Sequence, residues 1–349
     1  MTHPDRRTLI AAGAALGLVP LTTPLAARAR AAPPGGWTSR ASLPWIVQEI
    51  YAAVWDGKIV TAGGLVQRQG GLHVEDRVAA YDPAADAWSE LPRLPEARHH
   101  PMVVVADGKL NIVGGYARTG AGDWVNTTTA WTLTDGGWVE APGLPTPQAE
   151  AVGLGVGDRL HLITGRTPAG AANARWNEQA DTDRHLVRVD GRWETARPCP
   201  MARNSAAAAV LDGAIWVAGG RTVSGGGTGR LDRYDPAADR WDTLAPIPRS
   251  HAQNNQVGGG LAMAEAGGKL VAFGGEWFAP RNSGGGGGGV FAETWLYDPA
   301  RDAWTAGPDM KTPRHGLAAA SVDGAVYAIA GGSVVSGGAA TGVVERFGA

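Results

Sequence analysis

Arginine recurs in this 349-residue chain at one register: Arg98, Arg203 and Arg314 each stand a few residues before an apolar run, while Val47, Gln148 and Gly258 occupy the corresponding sites elsewhere. Three guanidinium groups gathered around one opening would clamp a carboxylate or sulfate, because each can bind two oxygens at once. The bland alternative is that each arginine braces the carbonyls of a neighbouring loop. Beside them stand Glu49, Glu150 and His100, residue types able to give and take protons next to a sugar ring. His99, Asn204 and His315 add hydrogen-bonding groups in the same layer, and a polar segment over residues 251–256 contributes His251, Asn254 and Asn255.

Other chemistries are less well served. His99, His100, His251 and His315 could converge with Glu49 or Glu150 on a metal, yet no short-range ligand spacing of the metalloprotease type occurs. A copper site built on a cysteine bonded to tyrosine finds one cysteine, Cys199, and no tyrosine in the candidate layer. The glycine run 284–289 lacks the following lysine and the strand-to-helix setting of a phosphate loop. The residues therefore imply no metal and no cofactor.

The elements that must position these side chains repeat. Met102 to Ala106 is an apolar strand, Asp107-Gly108 a two-residue turn, and Leu110 to Val113 the returning strand, closed by Gly114-Gly115. Similar units end at Gly63-Gly64, Thr164-Gly165, Gly219-Gly220, Gly274-Gly275 and Gly331-Gly332. Trp37, Trp88, Trp138, Trp193, Trp241 and Trp304 each open a short outer strand, and a further strand lies between each glycine pair and the next tryptophan. Three of these run into Asp-Pro turns, at Asp82, Asp235 and Asp298. The first tryptophan has no strands before it, and the last unit lacks its fourth strand.

This glycine-pair and tryptophan pattern, at a period near ~50 residues, resembles the Kelch repeat over about residues 37–349. The resemblance implies an all-β fold: a six-bladed β-propeller whose last blade is closed by the N-terminal strand. Such closure removes free sheet edges. It also implies a polar channel mouth that recognises a carbohydrate, an anionic small molecule or a protein partner. The alternative is an enzyme similar to the periplasmic Kelch mutarotases that act on sialic acids, with Glu49, Glu150 and His100 as acid and base and the three arginines as the clamp.

Residues 1–31 read differently from the rest. Arg6-Arg7 precedes an apolar run from Leu9 to Val19, and Ala29-Arg30-Ala31 supplies a small-x-small cleavage site. The order resembles a twin-arginine export signal, so a propeller over 32–349 is expected to work in the periplasm or outside the cell, free of the membrane once cleaved. A net charge of −2 gives no basic surface for nucleic acid. With one cysteine, no disulfide can form within the chain.

Overall fold

The computed structural model describes residues 35–224, 226–248, 258–278 and 287–348. The proposed export segment and the segment holding His251, Asn254 and Asn255 lie outside the described residues. Each repeat folds as a four-stranded antiparallel sheet. The first blade is Ala52–Trp55, Lys58–Ala62, Val78–Asp82 and Ala87–Leu91. Blades two to five follow from Met102–Ala106, Val152–Val156, Ala207–Leu211 and Ala262–Ala266 in the same order. The sixth blade combines Ala318–Val322, Ala325–Gly332 and Ala340–Phe347 with Trp37–Arg40 from the other end of the chain, in the register Trp37 to Phe347 and Arg40 to Val344.

Sheets covered on both faces must carry apolar residues along whole strands, and they do: Ala214–Ala218 and Ala325–Gly332 are buried throughout. Cores form between blades. One joins the sixth and first blades around Tyr81, Tyr327 and Ile329, and another joins the first and second around Ile112 and Trp131. The repeated tryptophans lock each blade to the preceding one through the indole N–H. Trp88 donates to the Ala41 carbonyl at 2.9 Å, Trp138 to Pro92 at 2.7 Å, Trp193 to Pro142 at 2.9 Å, Trp241 to Arg197 at 2.9 Å, Trp304 to Ala245 at 2.7 Å and Trp37 to Pro308 at 3.1 Å. In blades with Asp-Pro turns a tyrosine joins the lock: Tyr81 donates to Asp86, which also accepts the Ala41 N–H at 2.8 Å.

The glycine pairs sit in the left-handed region because the chain there runs against the next segment. A Cβ on Gly115, at φ 86°, would meet the Pro101 Cα at 2.9 Å. In the sixth blade the pair is displaced by one from its expected position: Ala330 and Gly331 take up the conformation, at φ 55° and 99°. The N–H of Gly331 bonds the Val47 carbonyl at 3.0 Å, as that of Gly64 bonds Arg98 at 2.8 Å. The long segments that follow the third and fifth glycine pairs contain hairpins. Arg166–Pro168 pairs with Gln179–Asp181 around a 3₁₀ turn at Trp176–Glu178, and Glu276–Phe278 pairs with Gly288–Val290. Two further hairpins, Leu65–Arg68 with Gly71–Val74 and Tyr116–Thr119 with Gly122–Asn126, rise from the first two blades.

Candidate functional site

One residue from each blade enters a ring around the propeller axis: Glu49, His100, Glu150, Ser205, Gly260 and Gly316. All six have positive φ, between 49° and 68°. Backbone bonds make five of the six steps from blade to blade around the ring, all but that from His100 to Glu150. His100 donates to the Glu49 carbonyl at 3.1 Å, Ser205 to Glu150 at 3.1 Å, Gly260 to Ser205 at 3.0 Å, Gly316 to Gly260 at 2.9 Å and Glu49 to Gly316 at 2.7 Å. Four of the six are not glycine, a conformation that costs about 1–2 kcal/mol per residue and persists only where surrounding bonds hold it. Glycine in the sixth blade makes room for an acid, since a Cβ on Gly316 would lie 2.7 Å from Glu49 Oε2.

Above this ring opens a cavity of about 1810 Å³, walled by the hairpins and loops that follow the glycine pairs. Its floor carries Glu49, His100, Arg221 and Glu276, and its sides carry Trp124, Trp176 and Trp277 with Gln67, Asp123 and Ser336. Glu49 and His100 were expected here. Arg221 and Glu276 were not. Both stand immediately after a glycine pair, and that position, filled by Leu65, Tyr116 and Arg166 in the first three blades, bridges the segment just before the ring residue. The signal was therefore present in the repeat, one residue beyond the glycines.

The floor is a connected set of charges. Arg221 Nη1 bonds Glu276 Oε1, its Nη2 lies 3.7 Å from Glu150 Oε2, and its Nε donates to Asn204 Oδ1 at 3.2 Å. Burial would lower the guanidinium's affinity for its proton, but Glu276, Glu150 and Glu49 outweigh it and raise it. Burial would likewise raise the Glu49 carboxyl. His100, His315 and Arg221 instead hold it well below the usual carboxylate range. Glu150 is also lowered, against its burial, by His100, Arg166 and Arg221.

His100 Nε2 faces Glu49 Oε2 at 3.0 Å, and its Nδ1 lies 2.9 Å from His99 Nδ1. His99 Nε2 is 2.8 Å from the Asp123 carbonyl, an acceptor only, so His99 donates there and accepts on Nδ1. Burial and the neighbouring His100 push His99 down to about 3, which keeps it neutral. His100 must then donate from Nδ1, and its Nε2 is turned to the Glu49 carboxylate. An oriented pair results, largely buried, with its edge on the cavity floor.

The remaining expected residues occupy other places. Arg98, Arg203 and Arg314 are fully buried and do not line the cavity, so they form no clamp at its mouth. Arg98 donates to Glu96 at 2.8 Å and Thr129 at 2.7 Å and lies over Trp131. Arg203 donates to Asp232 at 2.8 Å and the Val217 carbonyl at 3.2 Å, and Arg314 to the carbonyls of Ala330 at 3.0 Å and Val343 at 2.6 Å. Arg98 is held by Glu96, Thr129 and its neighbour's carbonyl, whereas Arg203 and Arg314 reach main-chain carbonyls close to the glycine pairs of their own blades. A long side chain turned back into the blade keeps its charge bonded without reaching the cavity. Glu150 lies beneath the floor, accepting from Ser205 at 2.7 Å and Tyr116 at 3.0 Å. Asn204 bonds Asp181, and His315 sits 3.5 Å from both Glu49 and Glu276. Cys199 is buried in the core between the third and fourth blades, away from the cavity. Among the described residues no group of three or more His, Cys, Asp or Glu is arranged to hold a metal ion.

Fold and site together define a six-bladed β-propeller with a polar, aromatic-walled mouth, and similarity to known proteins places it further. Residues 202–248 match the Kelch motif. The chain is 28% identical over 322 residues to the Kelch-like protein terF of Aspergillus terreus, covering 90% of this chain and 55% of that protein. It is 30% identical over 181 residues to human Kelch-like protein 34, covering 50% of this chain and 26% of that protein. The chain thus spans about half or less of the length of these relatives. The solved structure of YjhT superposes with a TM-score of 0.70 at 15% identity, over 86% of this chain and 95% of that one, a likeness of fold. The protein is a six-bladed β-propeller that carries a Kelch motif over residues 202–248 and is similar to Kelch-like proteins along most of its length.

Proposed function

We propose that this propeller is a binding module for a carbohydrate of several rings, held in the cavity over Glu49, His100, Arg221 and Glu276. The observation that carries the reading is the floor itself: carboxylates that accept, a guanidinium that donates, and indoles of Trp124, Trp176 and Trp277 at the sides. Sugar hydroxyls both donate and accept, and the apolar face of a pyranose fits an aromatic ring. A volume of about 1810 Å³ exceeds the roughly 300–1,000 Å³ usual for one small ligand, which favours an oligosaccharide over a single ring. Kelch propellers commonly bind protein partners, and an inserted loop of a partner is the competing occupant. We place the protein outside the cytoplasm, on the strength of the Arg6-Arg7 segment with its apolar run. Titration of the protein with oligosaccharides, read by indole fluorescence, tests the reading: saturable quenching supports it, and silence across the panel points to a protein partner.

One observation favours a second reading, sugar mutarotation. Glu49 Oε2 and His100 Nε2 face each other at 3.0 Å in the lining of the cavity. One member would take the anomeric hydroxyl proton while the other protonates the ring oxygen, so that the ring C–O bond breaks and the open aldehyde recloses on either face. Polarimetry of freshly dissolved aldoses distinguishes this from binding alone, with loss of any catalysed rate expected in Glu49→Gln.

A further inference from the structure

The carbohydrate reading leaves open the charge of the sugar. We infer that the cavity selects neutral over acidic saccharides and that Glu276 is the residue that sets this selection, an inference that rests on the carbohydrate reading. Each cation at the floor already has its counter-charge. Arg221 is spread over Glu276, Glu150 and Asn204, and His100 is held between Glu49 and His99. The carboxylates facing the cavity are Glu49, Asp123 and Glu276; Asp123 is already paired with Arg118 at 2.8 Å, and among the described residues lining the cavity Arg221 is the sole arginine and there is no lysine. The arginines that would have supplied surplus positive charge, Arg98, Arg203 and Arg314, are spent inside their blades.

An entering carboxylate would lose its hydration and meet Glu49 and Glu276 without an unmatched cation to offset that loss. A neutral hydroxyl group faces no such penalty, since it can donate to Glu276 or Glu49 and accept from the exposed edge of Arg221. Glu276 is the decisive residue because it is 2% exposed, is fixed by the Ser336 N–H at 2.8 Å, and occupies the Arg221 Nη1 that would otherwise reach a ligand. Discrimination of this kind comes from a repulsive group as much as from an attractive one.

Calorimetric titration of the full chain with neutral oligosaccharides and with their uronate counterparts at one salt concentration tests the inference. The wild type should bind the neutral member at least about tenfold more tightly, a difference of about 1.4 kcal/mol. Glu276→Gln keeps the amide-sized side chain and removes the charge. It should shrink or reverse that ratio by about tenfold, with thermal melting confirming a folded protein. Glu49→Gln serves as the second variant and should move the ratio the same way by less. Equal or tighter binding of uronates by the wild type overturns the inference while leaving the carbohydrate reading intact, as does a ratio unmoved in both variants. No binding of either class removes both.

Discussion

Arg203 and Arg221 belong to the same blade and are both largely withdrawn from water, yet they meet different surroundings. The Arg203 guanidinium is wholly enclosed, bonded to Asp232 and to a strand-end carbonyl. Arg221 keeps about 18% of its side chain exposed at the cavity and lies among Glu49, Glu150 and Glu276. The first completes the hydrogen bonding of a sheet. The second helps to keep Glu49 and Glu150 ionised and presents what remains of its edge to a ligand. Burial of a charged residue therefore does not mark a site. What marks it is which groups share the charge and whether an edge stays open.

The largest effect separating the two is on stability. Arg203→Met should cost about 3–5 kcal/mol in urea denaturation, toward the lower end because Asp232 keeps Arg230 at 2.8 Å and Thr243 at 2.7 Å. Oligosaccharide affinity of the folded variant should be unchanged; lost binding with intact stability would reverse the assignments of the two arginines. For Arg221→Met the order is opposite. Affinity should fall about 10- to 100-fold, the worth of a hydrogen bond to a charged group, with a smaller loss of stability.

A pH scan extends the contrast to histidines. His161 and His185 are buried between the third and fourth blades with ring nitrogens 2.9 Å apart, and burial lowers them to about 4 and about 3 from an ordinary 6.5. The unfolded chain takes up these protons first. Stability is thus complete above about pH 6.5 and declines as the pH falls toward 4 and then 3. His161→Leu should flatten that decline in thermal melts at successive pH values, and an unaltered slope would show that other groups govern acid unfolding. The smallest effect expected is that of Trp277→Ala, about a tenfold loss of affinity from one aromatic wall, with melting nearly unchanged because the side chain is only half-buried at the rim.

Much of the architecture was legible in the sequence because it repeats. Each tryptophan makes the same indole-to-carbonyl bond to the preceding blade, so six appearances reinforce one another, and the unmatched first tryptophan and last strands point to one shared blade. The sixth glycine pair was misplaced by one because Ala330 adopts the left-handed conformation where glycine was expected. The four hairpins around the mouth were not legible, since they differ in length and composition from blade to blade.

The order of residues along this chain was enough to determine the number of blades, their strands and their closure, since those depend on local pattern and on a period that recurs. It was also enough to bring Glu49 and His100 to notice. Only the tertiary structure decided which arginine faces the cavity. Arg221 and Glu276 stand 55 residues apart and become neighbours through the curvature of the ring. The direction of a long side chain depends on which bonding groups lie within its reach, and those are settled when the sheets have formed.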